Sequence, residues 1–86
     1  MEFLVYILYS EKFDKTYVGF TSSLIERFKS HNELANSGFT TKFRPWLVLY
    51  VEVLSAKSDA LKREKWFKTG VGREKIKAIK NELLLK

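Results

Sequence analysis

Five side chains in this 86-residue chain have types and spacings suited to chemistry on a phosphodiester: Tyr6, Tyr17, Arg27, His31 and Glu64. The planar guanidinium of an arginine can neutralise charge that develops on phosphoryl oxygens. A phenol can accept a proton from water when nearby positive charge favours the phenolate. A single carboxylate can hold Mg²⁺ when water supplies most of the other ligands. These residue types predict attack by water on a phosphodiester, whereas a Ser-His-Asp arrangement, a phosphate-cradling glycine loop and a glycosidase carboxylate pair are not evident.

Glu64 is the most unusual of the five because its neighbours at helical spacing are apolar. It follows Ala60 by four residues and Leu61 by three, and it precedes Phe67 by three. A charge that is buried without a partner is costly, so a carboxylate on such a face requires a cation, hydrogen-bond donors or a metal ion. A structural ion pair is the alternative to a metal, and its candidate partners are Arg27, Lys42 and Lys68.

The two tyrosines lie on runs of residues that favour strands. Residues 3–9 and 16–20 are rich in aromatic and β-branched side chains, and the polar residues between them indicate a hairpin. The register we expect pairs Tyr9 with Thr16, Leu8 with Tyr17 and Tyr6 with Gly19. It places both phenols on one face, with open space at Gly19 beside the Tyr6 ring. The alternative is that both tyrosines are ordinary packing residues, as strand tyrosines usually are.

Arg27 and His31 lie on a helix that we predict from about residue 22 to 35. Leu24, Ile25 and Phe28 form its apolar stripe, and serines at its start can cap it. Arg27 and His31 are four residues apart, so they lie together along one edge of that stripe. From there a long cationic side chain can reach a ligand at the sheet surface.

The rest of the chain completes an α+β fold. An apolar run over 46–54 predicts a third strand that pairs with the first and makes it central. A second helix is predicted to be capped by Ser55 or Ser58 and to run to about Thr69, where Gly70 and Gly72 break it. A third helix is predicted over 73–83. Its inward residues are predicted to be Ile76, Ile79 and Leu83, and its outward residues to be Lys75, Lys77 and Lys80. The order β-β-α-β-α-α predicts a three-stranded antiparallel sheet flanked by helices, as one domain over residues 1–86.

The positive charge is concentrated at one end of the chain. Residues 57–86 hold ten Lys or Arg and four Asp or Glu, which accounts for the whole net charge of +6. A basic surface of this kind favours a nucleic-acid partner, although a solvated helix face has the same composition. The residues we expect to contact a nucleic-acid backbone are Lys42, Arg44, Lys62, Arg63, Lys65 and Lys68.

Composition also excludes several classes of protein. The chain has no cysteine and a single histidine, which excludes disulfides and thiolate metal sites and argues against a zinc centre. No apolar run is long enough to span a bilayer and no signal peptide is evident. We therefore expect a cytoplasmic protein that does not associate with membranes.

These motifs closely resemble those of the GIY-YIG nuclease family, particularly its small single-domain members. The segments that carry the resemblance are Leu4-Val5-Tyr6, Tyr17-Val18-Gly19, Arg27 with His31-Asn32, and Leu61-Lys62-Arg63-Glu64-Lys65. The chain departs from the family in two places: Leu4 stands where the first motif usually has glycine, and isoleucines lie where an asparagine often follows the glutamate.

The resemblance implies a DNA endonuclease that uses one Mg²⁺ or Mn²⁺ ion. Branched or damaged DNA is a candidate target, although no residue distinguishes between these substrates. Tyr6 would be the general base or orient the attacking water, and Tyr17 would bind water or phosphate. Arg27 would stabilise the transition state, His31 would support the leaving group or the phosphate, and Glu64 would hold the metal. A protein partner could supply target choice. The alternative is a nucleic-acid-binding or protein-interaction module that keeps the fold without turnover, and a purely structural domain is a third possibility.

Overall fold

The computed structural model describes residues 2–23 and 44–84 as three strands and two helices. The strands are β1 (Phe3–Ser10), β2 (Lys15–Thr21) and β3 (Leu47–Leu54), and the helices are α1 (Lys57–Phe67) and α2 (Gly70–Leu84). The predicted helix over 22–35 lies outside the described residues except for positions 22 and 23, which are not helical. Arg27, His31 and Lys42 are among the residues that are not described. The α+β prediction, with a three-stranded antiparallel sheet, is confirmed.

The sheet has the order β2-β1-β3, with both neighbours antiparallel to β1. The predicted hairpin register is confirmed: Tyr9 pairs with Thr16, Leu8 with Tyr17 and Tyr6 with Gly19. The hairpin turns through Asp14, whose φ of 51° is a left-handed conformation that a short polar side chain tolerates. Because β1 is central, it can bury side chains on both of its faces.

The two faces of the sheet have different coverings. On one, which we call the helix face, Val5 and Ile7 form a buried cluster with Ala60 and Phe67 of α1 and Ile76 of α2. On the other, which we call the tyrosine face, Tyr6, Leu8 and Trp46 are buried, with Tyr17 and Val51 packed against them. The alternation of a strand therefore separates the phenols from the core that holds the two helices.

The junction between α1 and α2 differs from the prediction. Ala56, with extended backbone and no side-chain cap, precedes α1, so capping by Ser55 or Ser58 was wrong. The helix ends at Phe67, and Gly70 and Gly72 do not separate the helices but form the first turn of α2. Thr69 begins this turn because its Oγ1 accepts a hydrogen bond from Gly72 N–H at 3.2 Å.

Gly72 has a packing reason to be glycine. A Cβ there would collide with the backbone of α1, at the Trp66 carbonyl oxygen and the Phe67 Cα. The two helices can therefore follow each other closely only when this position has no side chain.

Three positions on the helices differ in exposure from the prediction. Leu61 and Leu83 are 36% and 46% exposed, so neither is an inward residue of its helix. Lys80 was expected to point outward, but its Nζ lies 3.1 Å from Asp14 Oδ1, because α2 passes beside the β1–β2 turn. Ile76 is buried, as predicted.

Candidate functional site

Tyr6 and Tyr17 form a packed pair on the tyrosine face. Their ring centroids lie 6.3 Å apart at an interplanar angle of 37°, and the Trp46 ring lies 6.3 Å beyond Tyr17. Tyr6 is fully buried, whereas Tyr17 is only half-buried because β2 is an edge strand. The hairpin register therefore brings both phenols together and leaves Tyr17 as the more accessible of the two.

Gly19 is the residue that makes room for the Tyr6 ring. It lies opposite Tyr6 across the β1–β2 pair, and a Cβ at this position would meet the Tyr6 hydroxyl oxygen and would lie 2.6 Å from Cζ. The space that the sequence predicted beside Tyr6 is thus filled by the distal half of the ring itself. The absence of a side chain at Gly19 therefore allows the Tyr6 ring to pack against β2.

Glu64 lies on the inner side of α1, with a side chain that is only 17% exposed. Its Oε1 lies 3.6 Å from the Nζ of Lys68, one turn later in the helix. Of the ion-pair partners considered from the sequence, Lys68 is thus in place, whereas Arg27 and Lys42 lie outside the described residues. The separation is long for a charge-assisted hydrogen bond, so the ammonium restrains the carboxylate only loosely.

Arg63 occupies the opposite flank of α1 and is held there. Its Nε donates a hydrogen bond of 2.7 Å to Glu52 Oε2 of β3, and its guanidinium lies 4.3 Å from the Trp66 ring centroid. Tyr50 donates to the other oxygen of Glu52 at 3.0 Å, and burial together with this hydrogen bond raises the pKa of the Tyr50 phenol. Arg63 therefore serves a structural ion pair, and its predicted contact with nucleic acid would compete with that pair.

Helical geometry then indicates where Glu64 points. Successive residues are about 100° apart around a helix axis, so Arg63 and Glu64 lie on either side of the line through Ala60 and Phe67 that faces the core. Arg63 reaches β3, so Glu64 and Lys68 lie on the flank toward β2. They do not share a sheet face with the tyrosines, but they approach the edge strand that carries Tyr17.

A cavity of about 610 Å³ connects these elements at the β2 edge. Tyr17 and Lys68 both line it, and Phe67 and Ile76 contribute apolar surface. Because Lys68 also contacts Glu64, the carboxylate lies near the edge strand that carries Tyr17, whose ring packs on the other face of the sheet. The cavity also includes Lys15 and Arg73, which the sequence patterns did not single out, because neither belongs to a recognisable motif.

The predicted nucleic-acid contacts do not form one surface. Lys62 and Lys65 are exposed on the outer side of α1, Lys68 is exposed on the β2 flank, and Arg63 lies on the β3 flank. Arg44 is half-buried just before Trp46. Within the described residues, these predicted contacts are therefore spread over three sides of one helix and the start of β3.

The donor set within the described residues fits a metal held by one carboxylate. Residues 2–23 and 44–84 contain no group of three Asp, Glu, His or Cys side chains placed to share an ion. Glu64 is largely shielded from solvent and only loosely paired with Lys68. A hard cation such as Mg²⁺ keeps most of its water, so this single carboxylate is a suitable ligand for it.

The comparison with known proteins now decides the family. A family model described as the GIY-YIG catalytic domain matches residues 2–77, which include all three described strands and most of both helices. This chain belongs to the GIY-YIG family. The resemblance expected from the motifs at Tyr6, Tyr17 and Glu64 is thereby confirmed.

The relatives of this GIY-YIG chain are small proteins of similar length. The UPF0213 protein SH2523 of Staphylococcus haemolyticus is 34% identical over 68 residues, which cover 79% of this chain and 83% of that protein. The UPF0213 protein SAV0488 of Staphylococcus aureus is 34% identical over 64 residues, which cover 74% and 78%. Their names state no reaction.

A solved structure supports the fold. The solution NMR structure of the UPF0213 protein BH0048 from Bacillus halodurans aligns with a TM-score of 0.55 and 23% identity, and covers 93% of this chain and 86% of that one. Among the described helices, none has the length and apolar character that crossing a membrane requires.

Proposed function

We propose that this GIY-YIG protein is a divalent-metal-dependent DNA endonuclease that hydrolyses phosphodiester bonds, with branched or damaged DNA as its target. Membership of a nuclease family supports the proposal, and the observation that carries it is the placement of Glu64. Its carboxylate is shielded from bulk water and loosely paired with Lys68, which lines the same cavity at the β2 edge as Tyr17.

In this proposal Glu64 holds one Mg²⁺ or Mn²⁺ ion, which supplies Lewis-acid stabilisation of the charge on the phosphate. Tyr17 is half-buried at the sheet edge, so its hydroxyl is the phenol that donates a hydrogen bond to water or to a phosphate oxygen. Tyr6, which is buried in the tyrosine face, is the base or the group that orients the attacking water. Arg27 and His31 are proposed to neutralise the phosphate and support the leaving group.

Nicking of plasmid DNA and cutting of branched or damaged DNA, with and without Mg²⁺, tests the proposal. Glu64→Gln keeps the size of the side chain but removes the charge, and we expect it to abolish metal-dependent cutting while DNA binding is retained. Glu74→Gln on the exposed surface of α2 is the matched control and should cut like the wild type. Equal cutting by the wild type and Glu64→Gln would contradict the proposed role of this carboxylate.

A matched pair of tyrosine variants tests the phenols. Tyr17→Phe should reduce the rate of cutting without changing the fold, because it removes only a half-buried hydroxyl at the sheet edge. Tyr50→Phe, on the helix face, removes a hydroxyl that binds Glu52 and should leave cutting unchanged. Equal rates for both variants would contradict a role for Tyr17.

The second candidate function is a non-catalytic nucleic-acid-binding module, and two observations favour it. Lys68 already neutralises Glu64, and the Tyr6 hydroxyl is buried in the packed tyrosine face. This alternative predicts DNA binding that falls steeply with salt but no metal-dependent cutting by the wild-type protein.

A further inference from the structure

The cavity at the β2 edge is lined by more positive than negative charge. Lys15 contributes from β2, Lys68 from the residue after α1, and Arg73 from the first turns of α2. Asp14 is the acidic residue on its wall. We call this cavity the basic groove.

Asp14 does not cancel the positive charge, because its carboxylate is engaged elsewhere. Its Oδ1 accepts hydrogen bonds from Lys80 Nζ at 3.1 Å and from the Tyr9 hydroxyl at 3.0 Å. These contacts hold the pKa of Asp14 below its usual value, so the carboxylate stays ionised and paired with Lys80. Lys68 is likewise paired with Glu64 at 3.6 Å, so the wall of the groove, counted together with these two paired partners, carries a net positive charge.

The chemistry of the groove suits a phosphate diester better than a simple counter-ion site. Arg73 offers a planar fork of N–H donors that matches two phosphate oxygens, and Phe67 and Ile76 provide apolar surface against which a sugar can lie. Arg73 is in the first turns of α2, where the helix dipole adds further positive potential.

We propose that the basic groove binds a backbone phosphate of the DNA next to the one that is cut. This inference rests on the proposed nuclease function and extends it by assigning Lys15 and Arg73 to substrate binding. Tyr17 belongs both to the tyrosine face and to the wall of the groove. A strand that contacts the exposed part of Tyr17 can therefore continue around the β2 edge into the groove.

The proposal is tested by DNA binding in the Glu64→Gln background, where cutting does not interfere. Fluorescence anisotropy with a fluorescein-labelled branched DNA is measured over a series of KCl concentrations for Arg73→Ala, Lys15→Ala and Lys75→Ala. Lys75 is exposed and lies about 160° around α2 from Arg73, so it is the matched control. Circular dichroism confirms that each variant is folded.

We expect Arg73→Ala and Lys15→Ala each to weaken binding several-fold and to reduce the slope of log K against log salt by about 0.9, the value for one lost phosphate contact. Lys75→Ala should change neither quantity. Arg73→Lys should recover part of the affinity, because it restores the charge but not the fork. Equal effects of all three alanine variants would overturn the proposal and indicate a diffuse basic surface.

Two further measurements separate this proposal from its alternatives. Titration with inorganic phosphate, followed by amide NMR shifts, should perturb Arg73 and Lys15 before Lys75. Displacement of the DNA by poly-glutamate at equal charge concentration would overturn the preference for phosphate and indicate an acidic protein partner.

The two proposals can fail independently. If the wild type never cuts DNA but the Arg73 and Lys15 variants still weaken binding, the nuclease proposal fails and the groove proposal is retained. If the wild type cuts DNA and both groove variants bind like the wild type, the groove proposal fails and the nuclease proposal is retained.

Discussion

Gly19→Ala is expected to destabilise the protein because of the Tyr6 ring. The added Cβ would lie 2.6 Å from Cζ and 3.2 Å from Cε1 of Tyr6, whereas carbon atoms pack best at about 3.5–4.0 Å. The ring must therefore retreat by roughly 1 Å. Tyr6 is fully buried beside Tyr17, so this movement must displace packed neighbours.

The expected size of the effect follows from two opposing contributions. Overpacking in a tight core costs about 1–3 kcal/mol, and replacing a strand glycine by alanine returns about 0.5–1 kcal/mol. The difference is a net loss of up to about 2.5 kcal/mol, with a central value of about 1 kcal/mol. A loss of about 1 kcal/mol lowers the melting temperature of a domain this size by roughly 4–8 °C. Thermal denaturation followed by circular dichroism measures this change.

A double-mutant cycle identifies the cause. Tyr6→Leu removes the distal ring atoms that the new Cβ would meet, so Gly19→Ala should cost much less in that background. If Gly19→Ala lowers the melting temperature equally in both backgrounds, the Tyr6 ring is not the source of the strain and the reasoning is wrong. In the proposed nuclease, the displaced Tyr6 should also slow cutting well below the melting temperature.

Three further predictions concern the rest of the fold. Gly72→Ala should destabilise the protein strongly, because the added Cβ would collide with the α1 backbone. Gly70→Ala has open space around it and should be neutral or stabilise by up to about 1 kcal/mol. Urea denaturation of the two variants compares their stabilities. Asp14→Asn should lower the melting temperature at neutral pH, because the folded state lowers the pKa of Asp14 and thus favours its charged form. Protonation removes this stability, so the difference in melting temperature from the wild type should shrink as the pH falls below about 3.9. A difference that stays constant down to about pH 2 would contradict this prediction. Ser10→Ala should be neutral or stabilising in the same denaturation assay, because the buried Ser10 hydroxyl has no hydrogen-bond partner among the described residues. A loss of more than about 1 kcal/mol in the free energy of unfolding would reveal such a partner.

The strand pairing could be predicted from the sequence because it depends on local, periodic information. Side chains alternate between two faces of a strand, so the apolar runs and the polar turn specify the register that brings Tyr6 opposite Gly19. The continuous apolar runs over 3–9 and 46–54 predicted their pairing, which makes β1 central, and this is confirmed. Tyr6 and Tyr17 lie on the two runs of the hairpin, so their placement on one face could be predicted without coordinates.

The helix junction and the exposure of the helices could not be predicted in the same way. Glycines usually end helices, but Gly72 here allows the first turn of α2 to lie against the end of α1, a contact that no local pattern reveals. Lys80 is only partly exposed because it pairs with Asp14, 66 residues earlier in the chain, at the surface beside the β1–β2 turn.

The sequence alone determined that Glu64 is an acid on an apolar helix face and that it needs a partner, because the cost of burying charge does not depend on the fold. Only the tertiary structure decided how the charges around it are used. It pairs Arg63 with Glu52 on one flank of α1 and gathers Lys15, Lys68 and Arg73 on the other. The reason is that the field at a site is set by distances through space, and those distances join strands and helices that are far apart in the chain.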